Sequence, residues 1–237
     1  MLQELIILTI TAASIGFFHT LLGPDHYLPF IVMARARKWS LFKTSWITFL
    51  CGIGHIAGSV LLGMMGVALG IALTKLEGME SFRGNLAAWF LIAFGLVYFV
   101  WGLRRGVKSR PHEHLHAHKD GLIHIHKHIH TKEHVHIHEK EGALNLTPWV
   151  LFIIFVLGPC EPLIPLLMYP AAKESLLGLV LVISVFGGVT IVTMLSIVFV
   201  STLGMNLLPL AHVEKYTHAF AGVVICFCGL AIHFLGL

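Results

Sequence analysis

Long apolar runs alternate along this chain with short clusters of charge. Six runs stand out, at about residues 5–33, 44–74, 84–103, 146–172, 175–208 and 216–237. About 20 apolar residues suffice to cross a bilayer, so each run reads as a membrane-spanning helix, and the longer ones must tilt, bend or break. Two runs carry helix breakers. The first is interrupted at Gly23-Pro24-Asp25, and the fourth at Gly158-Pro159-Cys160-Glu161-Pro162. The pattern predicts an all-α polytopic membrane protein with six transmembrane helices.

Composition agrees with that pattern. Of 237 residues, 57% are hydrophobic and 12% charged, and mean hydropathy is +0.84; such a balance excludes an ordinary soluble domain. The net charge of +4 does not call for a nucleic-acid partner, because the basic residues flank apolar runs. Arg35, Arg37, Lys38 and Lys43 follow the first run, and Arg104, Arg105, Lys108 and Arg110 follow the third. Lys75, Glu77, Glu80 and Arg83 form a balanced loop between the second and third. The positive-inside rule then puts the first and third loops in the cytoplasm and both termini outside, in a plasma membrane of bacterial type. The first run lacks a basic leader and carries Asp25 and His26, so it is not expected to be a cleaved signal. Cys51, Cys160, Cys226 and Cys228 all lie inside apolar runs and build no disulfide framework.

The two halves of the chain resemble each other. Gly23-Pro24-Asp25-His26 followed by Pro29 matches Gly158-Pro159-Cys160-Glu161 followed by Pro165, and Phe94-Gly95-Leu96 matches Cys228-Gly229-Leu230. Three spans per half is an odd number, so the halves must be inverted. Residues 1–104 then form one three-helix repeat and 143–237 the other, with 105–142 a loop between them. Inverted repeats with matched broken helices point to a substrate site at their interface.

The polar residues at the breaks suggest what that site binds. A carboxylate at the centre of a membrane helix costs about 2.5–3.5 kcal/mol on insertion scales, and survives where it meets a cavity, a partner or an ion. His19 and His26 are seven residues apart and share a helical face, with Asp25 adjacent. His55 sits among small residues, Gly52 to Ser59, that let helices approach closely. Imidazoles with a carboxylate suit Ni(II), Co(II), Zn(II) or Fe(II) better than Ca(II) or Mg(II). The candidate metal ligands are His19, Asp25, His26 and His55, with Glu161 and Cys160 from the second half. A lone buried Cys is more often a small hydrophobe, and a lone membrane histidine can simply hydrogen-bond a neighbouring helix.

On the His-x5-Asp-His of His19, Asp25 and His26 and the Gly-x-Gly-His of Gly52 to His55, the chain resembles the nickel/cobalt transporter superfamily, most closely its urease-accessory-H-like membrane branch. Typical nickel/cobalt permeases have one residue fewer in the first motif. The resemblance implies transport of Ni(II) or Co(II) rather than enzymatic catalysis.

The loop adds a second metal-binding feature. His112, His114, His116, His118, His124, His126, His128, His130, His134, His136 and His138 nearly all step by two, with Leu115, Ile125, Ile129, Val135 and Ile137 between them. Period two is a strand pattern and Asp120-Gly121 a turn signal, so a β-hairpin is one expectation and a disordered chelating tract the other. Imidazoles with pKa near 6.5 are mostly neutral at cytosolic pH and able to bind metal in either form. A cytoplasmic metal chaperone fits as a partner, and an oligomer is compatible with the pattern. Three other functions compete with transport. A membrane metal-delivery or sensor accessory protein would act through the loop alone. A thiol–disulfide carrier needs a reactive Cys in each half, whereas Cys160 faces Asp25 in the repeat. An anion exporter should show Arg or Lys at membrane depth, and the spans as drawn contain none.

Overall fold

The computed structural model describes residues 2–108, 112–117, 123–128, 146–207 and 215–236. Its body is all-helical. In chain order come α1 (Leu2–Leu22), a short 3-10 turn (Pro24–His26), α2 (Leu28–Arg37), α3 (Leu41–Ala68), α4 (Leu73–Lys108), α5 (Leu146–Leu157), α6 (Leu163–Ala172), α7 (Leu176–Leu207) and α8 (Thr217–Leu235). Five of these, α1, α3, α4, α7 and α8, are long and apolar enough to cross a membrane. The fourth apolar run forms the two shorter helices α5 and α6 instead. Large apolar side chains cover the outside, among them Leu61, Phe82, Val97 and Val192, as an integral membrane protein requires.

Local chemistry explains both breaks. Pro24 lacks an N–H and disfavours helix at the residue before it, so α1 stops at Leu22. The chain makes one tight turn, with the His26 N–H donating to the Gly23 carbonyl at 3.1 Å, and α2 restarts with Pro29 in its first turn. In the fourth run Pro159 and Pro162 remove two donors within four residues, and α6 starts again as the Leu163 N–H bonds the Cys160 carbonyl at 3.0 Å. The Ser40 hydroxyl caps α3 by accepting from the Lys43 N–H at 3.2 Å.

One expectation needs correcting. The helix expected at 84–103 begins at Leu73, so Lys75, Glu77, Glu80 and Arg83 are helical rather than a loop. Leu76, Glu80 and Ala87 lie on one stripe and are buried, and Leu76 packs beneath Gly66 of α3. This packing carries the helix through a segment whose charges would otherwise favour solvent.

Small residues set the helix contacts. α4 and α8 run antiparallel: a Cβ on Gly95 would lie 2.8 Å from the Gly222 carbonyl, and one on Gly229 2.7 Å from the Ala88 carbonyl. Only glycine permits that approach. The helix ends gather in two groups. Arg37, at the end of α2, donates to Thr147 Oγ1 at the start of α5 (2.9 Å) and lies over the rings of Tyr98 and Trp101. Lys173, just past α6, pairs with Glu4 at the start of α1 (2.9 Å).

Between α4 and α5, strands β1 (His112–Ala117) and β2 (Ile123–His128) pair antiparallel, with His114 opposite His126 and His116 opposite His124. His118, His130, His134, His136, His138 and Asp120-Gly121 lie outside the described residues.

Candidate metal centre

The last turn of α1 supplies His19, the 3-10 turn supplies Asp25 and His26, and the middle of α3 supplies His55. The three imidazoles converge. One ligand atom from each lies within 4.8 Å of the other two. The His26 ring stands edge-on to both others, at centroid distances of 4.7 Å from His19 and 5.0 Å from His55. His26 and His55 are buried, and His19 is half-buried.

The hydrogen bonds fix the tautomer of His26. Its Nδ1 faces two acceptors, the Gly23 carbonyl at 3.2 Å and Asp25 Oδ1 at 3.3 Å. In the neutral ring Nδ1 therefore carries the hydrogen and donates, which leaves the lone pair on Nε2. His26 Nε2 and His55 Nε2 are both buried without a hydrogen-bond partner. An unmade bond at a buried polar atom costs about 1–3 kcal/mol. Two such atoms on rings whose centroids are 5.0 Å apart are poorly explained by packing alone, and a cation bound between them would satisfy both. The group could hold a metal ion.

Each break backs one imidazole. A Cβ on Gly23 would lie 2.6 Å from His26 Nδ1, and one on Gly158 would lie 3.1 Å from His55 Nδ1. Elsewhere along α3, Gly54 accommodates Val156 and Phe152 of α5, and Gly52 accommodates Ile191 and Met194. Small residues thus bring His55 to the other two rings.

The remaining candidates sit around this group. Asp25 bonds His26 Nδ1 and is not one of the three converging ligands. Carboxylates in that position orient a metal-binding imidazole and raise its basicity, and losing them typically lowers affinity 10–100-fold. Asp25→Asn, with its amide oxygen turned to Nδ1, should weaken Co(II) binding by about 10-fold without abolishing it, measured by competition against a metal indicator. Cys160 is buried with Sγ 3.9 Å from His19 Nε2. Glu161 is exposed; it lines a cavity of about 390 Å³ that reaches His19 between Gly23 and Pro159. A neighbouring cavity of about 550 Å³ shares Glu161 and adds Glu77 and Glu80.

The sequence reading missed two charged residues beside the site. Glu80 is fully buried and pairs with Arg83 at 2.7 Å. Arg83 also donates to the Gly158 carbonyl at 3.1 Å. An arginine therefore does stand against the fourth-run break, but a carboxylate engages it, so it is not a free anion-binding cation. The stripe Leu76, Glu80, Arg83, Ala87 was the available signal, at helical spacing across the supposed loop. Set against known proteins, the chain matches no protein-family model, no curated protein and no solved structure.

Proposed function

We propose that the protein is a secondary transporter that moves a divalent transition-metal ion through the His19, His26 and His55 site by alternating access of two inverted three-helix halves. The observation that carries this reading is the convergence of His19, His26 and His55 where the two broken runs meet, with the Nε2 atoms of His26 and His55 buried and unpartnered. Three neutral imidazoles leave a fourth position open for water or a passing ligand, which is compatible with release as well as capture. Ni(II) and Co(II) are the first candidates, followed by Zn(II), Fe(II) and Mn(II); imidazole donors favour all of these except Mn(II) over Ca(II) and Mg(II). Nitrogens bound to one tetrahedral ion at about 2.0–2.1 Å lie about 3.3–3.4 Å apart, so the rings draw together when the ion arrives.

The helix contacts support the inverted-repeat part of this reading. The start of each broken run touches the end of the other, through Arg37–Thr147 and Lys173–Glu4. α1 packs on α7 while α5 packs on α3, and α2 packs on α8 while α6 packs on α4. Each of these four contacts has its counterpart when the halves are exchanged. α2 and α6 have ten residues each, about 15 Å of helix or half a hydrocarbon core, which suits a site near the midplane.

In this account the histidine loop is cytoplasmic and buffers or hands on the ion. Deleting residues 112–138 should raise the concentration for half-maximal flux several-fold while flux persists; a complete loss would make the loop the working part and favour the accessory-protein reading. The proposal itself is tested by metal flux into proteoliposomes, screened across Ni, Co, Zn, Fe and Mn with and without a pH gradient. Saturable flux of at least one ion is expected. A protein that binds metal but moves none contradicts transport.

A further inference from the structure

The two breaks are closed by different means. In the first, the chain satisfies itself: the Gly23 carbonyl accepts from both the backbone N–H and Nδ1 of His26. The second break has no such side chain. Its matching residue, Glu161, is exposed, and Pro159 and Pro162 offer no N–H. Unsatisfied backbone groups cannot be left in a membrane interior, so they must be met from elsewhere in the protein.

They are met from α3 and α4. Glu80 Oε1 accepts the Cys160 N–H at 2.8 Å, the Ser59 hydroxyl at 2.6 Å and Arg83 Nη2 at 2.7 Å. Arg83 Nη2 donates in turn to the Gly158 carbonyl at 3.1 Å and to Ser59 Oγ. The carboxylate thus holds an N–H of the break and the guanidinium holds one of its carbonyls. Gly158 and Cys160 are also the residues of the break that touch the imidazoles. Gly158 backs His55 Nδ1, and Cys160 Sγ faces His19 Nε2.

We infer that Ser59, Glu80 and Arg83 are positioning residues for the imidazole site, holding the Gly158–Cys160 backbone where it sets His55 and His19. The inference rests on the metal-binding reading of that site. It also gives the site a physical link between halves: the break cannot move away from His55 without breaking charge-assisted bonds to α4, so metal geometry and the α4–break contact change together.

Co(II) is the probe. The full chain is titrated in detergent, and the visible d–d spectrum of a triple His19→Ala, His26→Ala, His55→Ala variant is subtracted to remove metal held by the loop. A Glu80→Gln, Arg83→Gln double variant removes both charges together, so neither is left buried alone; Ser59→Ala is a milder perturbation. The expected result is a changed difference spectrum and about 10-fold weaker Co(II) binding in the double variant, a smaller change of the same kind in Ser59→Ala, and a monodisperse protein throughout. A wild-type spectrum and affinity in the double variant overturns the inference. So does loss of the folded protein in both variants, which would make the network a fold element only. If wild type and triple variant give the same spectrum, the metal reading itself falls, and this inference with it.

Discussion

Replacing His55 with Leu should eliminate metal flux and leave the metal-free protein as stable as before or more so. The two effects have one cause. His55 Nε2 is buried with no partner, a state that costs about 1–3 kcal/mol in the absence of an ion. Leu fills comparable space and removes the unmet atom. The same change deletes one of three ligands, and since outer partners of a metal ligand are already worth 10–100-fold, removing the ligand itself should lower affinity by more than about 100-fold. A histidine kept for packing would behave oppositely: flux would survive, and thermal unfolding in detergent would shift downward. Measuring flux and unfolding on the same preparation separates the two. The sign is specific to His55, because replacing His26 would also strip Asp25 of its hydrogen-bond partner.

The second large effect is expected in the α4–α8 seam. A Cβ on Gly222 would lie 2.6 Å from Phe99 Cα and 2.7 Å from the Gly95 carbonyl. These are backbone atoms, which cannot swing aside as a side chain would. Gly222→Val should therefore force the helices apart and cost about 3 kcal/mol or more, a fall of about 6–12 °C in the unfolding midpoint for a chain of this size. Gly78→Val provides the control, since nothing lies within 4 Å of its Cβ position, and its midpoint should move by no more than about 2 °C. Equal midpoints for the two variants would show that the seam yields more easily than its geometry implies.

The features legible in the sequence depend on near neighbours. Pro24 ends α1 because it lacks a donor, whatever the rest of the chain does. The seven-residue spacing of His19 and His26, and the glycines around His55, point to a meeting of the three from sequence alone. The role of Asp25 was not legible. A carboxylate next to a histidine reads as a ligand, and only the 3-10 turn, which sets Oδ1 beside Nδ1, makes it the partner of the imidazole. Glu80 and Arg83 were hidden for another reason. Opposite charges three residues apart cancel in any reading of net charge, and a break in the apolar pattern reads as a loop. Their burial depends on Cys160 and Gly158, some 80 residues away along the chain, and no local rule carries that information. Glu161 follows the same logic in reverse: its place in the repeat suggested a ligand, while the course of the second break leaves it exposed beside the cavities.

The most direct test of the central claim is X-ray absorption at the metal edge of purified protein loaded with one equivalent of Co(II) or Ni(II), compared between wild type and the His19→Ala, His26→Ala, His55→Ala variant, each with residues 112–138 deleted and checked for a folded, monodisperse state. A first shell holding about three imidazole nitrogens near 2.0–2.1 Å is expected in the first protein and no bound metal in the second. Equal metal content and identical spectra in the two would contradict the claim.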